Sequence, residues 1–201
     1  MIERLRLDET SWVDVGRGWL ADADPLFEDL LAGVGWQTSR LFRYDHWVEE
    51  RRLSASWHRG QPLPHPALAD VHRTLQQTYK CRFDSFGLIQ YRDGRDGQGF
   101  HRDTDMRWLD DTVVAIVSLG ARRPWLLRPR GGRDAVHDIA PGPGDLLVMG
   151  GRCQADWEHS VPYRTGAPVG TRISLQWRYT TRRGRPFVGS SYRAPLTWSK
   201  A

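Results

Sequence analysis

From Phe86 onward, short apolar-rich runs are separated by turn residues. This texture predicts strands. Phe86 to Tyr91, Thr112 to Leu119, Pro124 to Arg128, Asp145 to Met149 and Thr171 to Thr180 each read as a strand. Asp93-Gly94, Asp96-Gly97, Arg130-Gly131-Gly132 and Pro141-Gly142-Pro143-Gly144 supply the turns between them. Before residue 86 the texture is different. Asp24 as cap, Pro25 at the first helical position and Gly33 as the stop predict a short helix to about Ala32. A second helix is predicted from Pro66 to Tyr79, because Leu68, Val71, Leu75 and Tyr79 fall on one face. The stretch from Arg40 to Arg59 mixes Arg43, Trp47, Arg51, Arg52, Trp57, His58 and Arg59. It reads either as two edge strands with Trp packed inward or as cover for a flat, charged ligand.

These elements predict a mainly β protein with flanking helices (α+β). Residues 1–85 would form N-terminal helices and a lid continuous with the core, 86–180 a jelly-roll core, and 181–201 a basic tail. The alternation is strictest at Thr171 to Thr180, where Arg172, Ser174, Gln176 and Arg178 share one face and Ile173, Leu175, Trp177 and Tyr179 the other. Two arginines entering one side of a small barrel call for an anion between them, and a dicarboxylate would offer one carboxylate to each. Pairing with carboxylates of the protein, or escape to solvent, are the alternatives.

Composition narrows the class. A chain of 201 residues with 39% hydrophobic residues and ten Trp is long enough for one folded domain. The longest apolar run, Val113 to Leu119, is too short to cross a bilayer, and Met1 to Val15 has no apolar h-region. A cytoplasmic monomer without a membrane partner is expected. Cys81 and Cys153 are too few for a disulfide framework. The net charge of +5 is carried by the end of the chain, where Arg182, Arg183, Arg185, Arg193 and Lys200 meet no Asp or Glu. That fits a polyanion partner or a solvated tail.

The candidate chemistry starts at Phe100-His101-Arg102-Asp103-Thr104-Asp105. On a strand, His101 and Asp103 point to the same side, and an imidazole beside a carboxylate is half of a metal site. A second His would complete the two-His, one-carboxylate set that suits Fe(II), and His159 is the best candidate. A hydrogen-bonded His-Asp pair without metal is the competing account of His101 and Asp103.

His101-x-Asp103, His159, and Arg172 with five residues before Arg178 together resemble the AlkB family of Fe(II)- and 2-oxoglutarate-dependent dioxygenases. Tyr91-Arg92-Asp93-Gly94, Val117-Ser118-Leu119-Gly120 and Gly144-Asp145-Leu146-Leu147-Val148-Met149 extend the likeness over residues 86–180. The resemblance implies a double-stranded β-helix in which His101, Asp103 and His159 bind Fe(II). It implies that Arg172 and Arg178 hold the carboxylates of 2-oxoglutarate, that Tyr91 adds a hydrogen bond, and that Asp105 faces the substrate. Ile89 departs from the family's frequent Asn at that position.

The implied activity is oxidative demethylation of N-alkylated bases such as 1-methyladenine or 3-methylcytosine in DNA or RNA. Dioxygen is the co-substrate, and formaldehyde, succinate and carbon dioxide are the products. The base would be single-stranded or flipped out of its stack. Trp57, with His58 beside it, is expected to supply the stacking ring. Arg51, Arg52, Arg59, Arg182, Arg183 and Arg185 are expected to meet phosphates. A hydroxylase or demethylase of a small molecule or protein on the same iron site is the alternative. A non-catalytic nucleic-acid binding module is the second.

Overall fold

The computed structural model describes residues 1–43, 46–57, 60–166 and 168–188, without the side chains of residues 39–43. In chain order the elements are β1 (Ile2–Arg6), β2 (Ser11–Gly16), α1 (Ala23–Gly33), β3 (Gln37–Arg43), β4 (His46–Trp57) and α2 (Ala67–Tyr79). Next come β5 (Ser85–Tyr91), β6 (Gln98–His101), a one-turn 3-10 helix (Thr104–Met106), β7 (Thr112–Gly120), β8 (Leu126–Pro129) and β9 (His137–Asp138). The last are β10 (Leu146–Gly151), α3 (Cys153–Asp156), β11 (Trp157–Val161) and β12 (Arg172–Thr180).

Two antiparallel sheets result, a larger one ordered β1-β2-β10-β7-β12-β5-β4-β3 and a smaller one ordered β6-β11-β8-β9. Side chains alternate across the larger sheet and fill two separate cores. On its outer face Ala115, Val117, Leu146, Val148, Ile173, Leu175 and Trp177 pack with Leu26 and Leu30 of α1 and Leu68, Val71 and Leu75 of α2. On its inner face Val114, Ile116, Leu147, Met149 and Tyr91 meet Leu127, Trp157 and Val161 of the smaller sheet. This is the jelly roll that the strand texture predicts.

The predicted α2 agrees closely, with Pro66 at its cap position and three of the four expected apolar residues buried. α1 corrects its predicted start. The helix begins at Ala23, and Asp22 occupies the cap position in a left-handed conformation without a side-chain cap bond. Asp24 therefore lies in the first turn, where its charge complements the exposed N–H groups.

The N-terminal region is also more than helices and lid. β1 to β4 add four strands to the larger sheet, so residue 85 divides a sheet rather than two layers. The expected edge hairpin is β3 and β4, with β3 on the edge and β4 paired on both sides.

Candidate active site

The smaller sheet brings the metal-ligating residues together. His101, at the end of β6, pairs directly across the ladder with His159 in β11, so both imidazoles leave the same face. Their ring centroids are 4.2 Å apart. His101 Nδ1 faces the backbone oxygen of Gly99 at 2.9 Å. A carbonyl only accepts, so Nδ1 holds the proton and the lone pair is on Nε2. That Nε2 is 3.6 Å from Asp103 Oδ1, and His159 Nε2 is 3.9 Å from the same oxygen.

One ligand atom from each of the three lies within 4.8 Å of the others, the spacing of a site that would close on one ion. Burial, followed by the neighbouring His159, pushes His101 well below the usual imidazole range, and burial does the same to His159. Burial alone would raise Asp103, but Arg178 and then the two imidazoles override it, leaving the carboxylate ionised. Two neutral imidazoles and one anion are the donor set of a non-haem Fe(II) centre.

The inner face of β12 supplies the cationic wall. Arg178 donates from Nε to Asp103 Oδ2 at 2.9 Å and from Nη2 to Gln176 Oε1 at 2.7 Å. Arg172, at the other end of the strand, is 1% exposed. Its Nη2 donates to Ser118 Oγ at 2.9 Å, while Nε and Nη1 are buried without a partner among the described residues. A guanidinium half-satisfied inside a protein fits an absent carboxylate, and this is the structural match to a dicarboxylate cofactor. The Tyr91 ring lies beside it, with the Arg172 guanidinium carbon 5.7 Å from the ring centroid.

Ile89 shares its rung with Ser174 of β12, and Ser174 with Ser118 of β7. Hydroxyls therefore lie in the same rung as the position where an Asn was expected. Asp105 sits in the one-turn helix after Asp103. Desolvation raises its carboxyl, Arg178 opposes the rise and Asp103 adds to it.

Trp57 is the residue that the structure moves away. It faces Phe86 across the ladder, and Phe86 packs on Trp177 at 4.7 Å in the helix-side core. Cross-strand partners share a face, so Trp57 points away from the metal and is not the ring over it. His58 and Arg59 lie outside the described residues.

Arg52, expected at phosphates, turns inward instead. Its Nη1 is 3.5 Å from the Tyr91 hydroxyl, and its Nη2 is 2.8 Å from Glu50 Oε1. Sequence reasoning also missed Trp125, stacked on His159 at 5.4 Å, and Gln154, bonded to the Asp103 backbone. Neither carried a motif. For Arg52, counting back along β4 from Trp57 would have placed it on the opposite face.

A jelly roll with two His and one carboxylate facing a buried arginine defines the non-haem iron oxygenase class. The chain belongs to the 2OG-Fe(II) oxygenase superfamily, whose sequence model matches residues 24–178. Within it, the chain is of the AlkB type. It is 29% identical over 191 residues to mouse alpha-ketoglutarate-dependent dioxygenase alkB homolog 3, an alignment covering 83% of this chain and 65% of the relative. Human DNA oxidative demethylase ALKBH2 is 27% identical over 180 residues, covering 79% and 69%. The chain thus spans a little under two thirds of the alkB homolog 3 relative.

Solved structures agree on the fold. OsALKBH1 superposes with a TM-score of 0.58 at 15% identity, covering 89% of this chain and all of that one. A Trichoplax adhaerens prolyl hydroxylase bound to a peptide of hypoxia inducible factor gives 0.60 at 14%, covering 83% of each. Fe(II) and 2-oxoglutarate are the groups for which the superfamily is named, and the triad and Arg172 fit them.

Proposed function

We propose that the protein is an Fe(II)- and 2-oxoglutarate-dependent oxidative demethylase of N-alkylated nucleobases in DNA or RNA. The observation that carries the reading is the His101, Asp103 and His159 cluster, its carboxylate and one imidazole buried, on the same interior side as the half-satisfied Arg172. The AlkB relatives, one named a DNA oxidative demethylase, support the nucleic-acid substrate. Single-stranded or flipped-out bases are the form that such a buried site would accept.

With both groups bound, iron and 2-oxoglutarate supply the oxidation: dioxygen converts 2-oxoglutarate to succinate and carbon dioxide, and the methyl on a base nitrogen is hydroxylated and lost as formaldehyde. His101, with Nδ1 tied to Gly99, presents Nε2 to the metal, and His159 does so from the facing strand. Asp103 stays anionic because Arg178 holds its outer oxygen. Arg172 would take the far carboxylate of the keto acid, with the Tyr91 ring beside it and the Tyr91 hydroxyl 3.5 Å from Arg52 Nη1. Asp105, two residues beyond the metal carboxylate, is the polar group offered to the base. Arg183 and Arg185 are exposed on the segment that docks against the loop carrying Asp103, where Phe187 N donates to Arg107 O at 2.6 Å. They would meet phosphates of the strand. Two buried, unpaired cysteines support a cytosolic setting.

Purified protein supplied with Fe(II), ascorbate and 2-oxoglutarate should release succinate and matching formaldehyde when given a single-stranded oligonucleotide carrying 1-methyladenine or 3-methylcytosine. Release that ignores the oligonucleotide would leave the oxygenase and turn the search to a small-molecule or protein substrate. Binding without any succinate would overturn the catalytic reading.

A further inference from the structure

Gln154 lies between the two stretches of chain that carry the metal ligands. It belongs to α3, which joins β10 to the strand bearing His159, and its side chain is 0% exposed. Its Oε1 accepts the backbone N–H of Asp103 at 2.8 Å, and its Nε2 donates to Met149 Sδ at 3.3 Å. One residue away a second bond runs the same way: Arg102 Nη1 donates to the backbone oxygen of Ala155 at 3.2 Å. Residues 102–103 thus donate two bonds to residues 154–155.

The Asp103 N–H needs this partner. β6 ends at His101, and Asp103 has φ −77° and ψ 66°, outside both strand and helix. Its amide has no place in the β6 to β11 ladder, which pairs at His101 and Gln98. Burying an N–H without a partner is costly enough to turn the peptide toward another acceptor. Rotation of that peptide would swing the carboxylate away from the two imidazoles.

We infer that Gln154 is a positioning residue for the metal centre: by accepting the Asp103 N–H it holds the carboxylate between His101 and His159, and so sets metal affinity and ligand geometry. The inference rests on the proposed metal site. It goes beyond packing because only one end of the amide touches the ligand residue. The Nε2 contact to Met149 is separable from it.

The test is titration of metal-free protein with Co(II), reading affinity and the d–d absorption of the bound ion. Gln154→Leu should weaken binding by about tenfold or more and shift the d–d band. Gln154→Glu, kept protonated by its burial, retains an accepting oxygen and should bind no more weakly than wild type. Met149→Leu should change neither property. If Gln154→Leu does not fold, Gln154→Asn, which withdraws the oxygen by one methylene, carries the same expectation. Wild-type affinity and spectrum in a folded Gln154→Leu, or Gln154→Glu as weak as Gln154→Leu, would overturn the inference. Absence of saturable Co(II) binding by the wild type would instead overturn the metal site on which it rests.

Discussion

Arg172 carries its charge in a fully buried position with two nitrogens unpaired, and burial lowers its pKa to about 10 against the pull of Tyr91. It is still protonated at neutral pH, so the pocket is built around a fixed cation. Arg178 differs, because it is already engaged with Asp103. The sequence alternation puts the two on one face without distinguishing them. In the structure Arg172 keeps two nitrogens without a partner among the described residues, which fits it to a cofactor carboxylate, whereas Arg178 is bonded to Asp103. Arg172→Lys should therefore raise the KM for 2-oxoglutarate by about 10- to 100-fold, the loss of one forked charge-assisted contact, with Fe(II) affinity within about threefold of wild type. Arg178→Ala should weaken both. Steady-state KM values beside a metal titration of each variant check this separation. His101 and Asp103 were legible as a pair from their spacing, but the strand on which that reading relied ends at His101, and the turn into the one-turn helix is what brings the carboxylate to the imidazoles. Gln154 was not, because its role is a backbone bond across 51 positions of chain.

At the scale of elements, the turn before β10 fixes where the larger sheet receives that interior strand, between β2 and β7. Asp145 accepts the backbone N–H of Gly142 at 2.9 Å and of Gly18 at 2.8 Å, and pairs with Arg17 at 2.7 Å. Burial alone would raise its carboxyl; those two N–H groups and then Arg17 override it, and the pKa is lowered. A carboxylate held below its unfolded value of about 3.9 adds stability above that pH, and the contribution is lost as pH falls through the folded value. Asp145→Asn should cost roughly 1–3 kcal/mol at pH 7 and progressively less below about pH 4, as urea unfolding at both pH values would show.

The predicted turns and the five core strands were legible because Gly, Pro and Asp punctuate short apolar-rich runs, one of which, Thr171 to Thr180, alternates strictly. β1 and β2 were not. β1 is a mostly exposed, charged edge strand, and β2 is buried or half-buried along its whole length, so neither alternates. Trp57 was misplaced for a related reason, since the β4 to β5 register decides which face of the hairpin looks at the metal.

For the whole molecule, charge and cavity work on different surfaces. The metal and keto-acid groups are interior, whereas Arg183 and Arg185 are exposed on a segment with no acidic residue from 181 to the end of the chain. Replacing both with Ala should lower the salt slope of single-stranded oligonucleotide binding by about 1.4, at ~0.7 per phosphate contact, and leave succinate release from a methylated nucleoside unchanged. Fluorescence anisotropy across a salt series reads the first, and a product assay the second.

The sequence by itself determined the core strands and the shared face of the two arginines, which follow from strand geometry and turn residues, and it offered His101, Asp103 and His159 as candidate ligands through their resemblance to a family pattern. Only the tertiary structure decided which arginine is free, which aromatic faces the iron site and what holds Asp103 in place. Those depend on register and on contacts between segments far apart in the chain, which no single strand's pattern encodes.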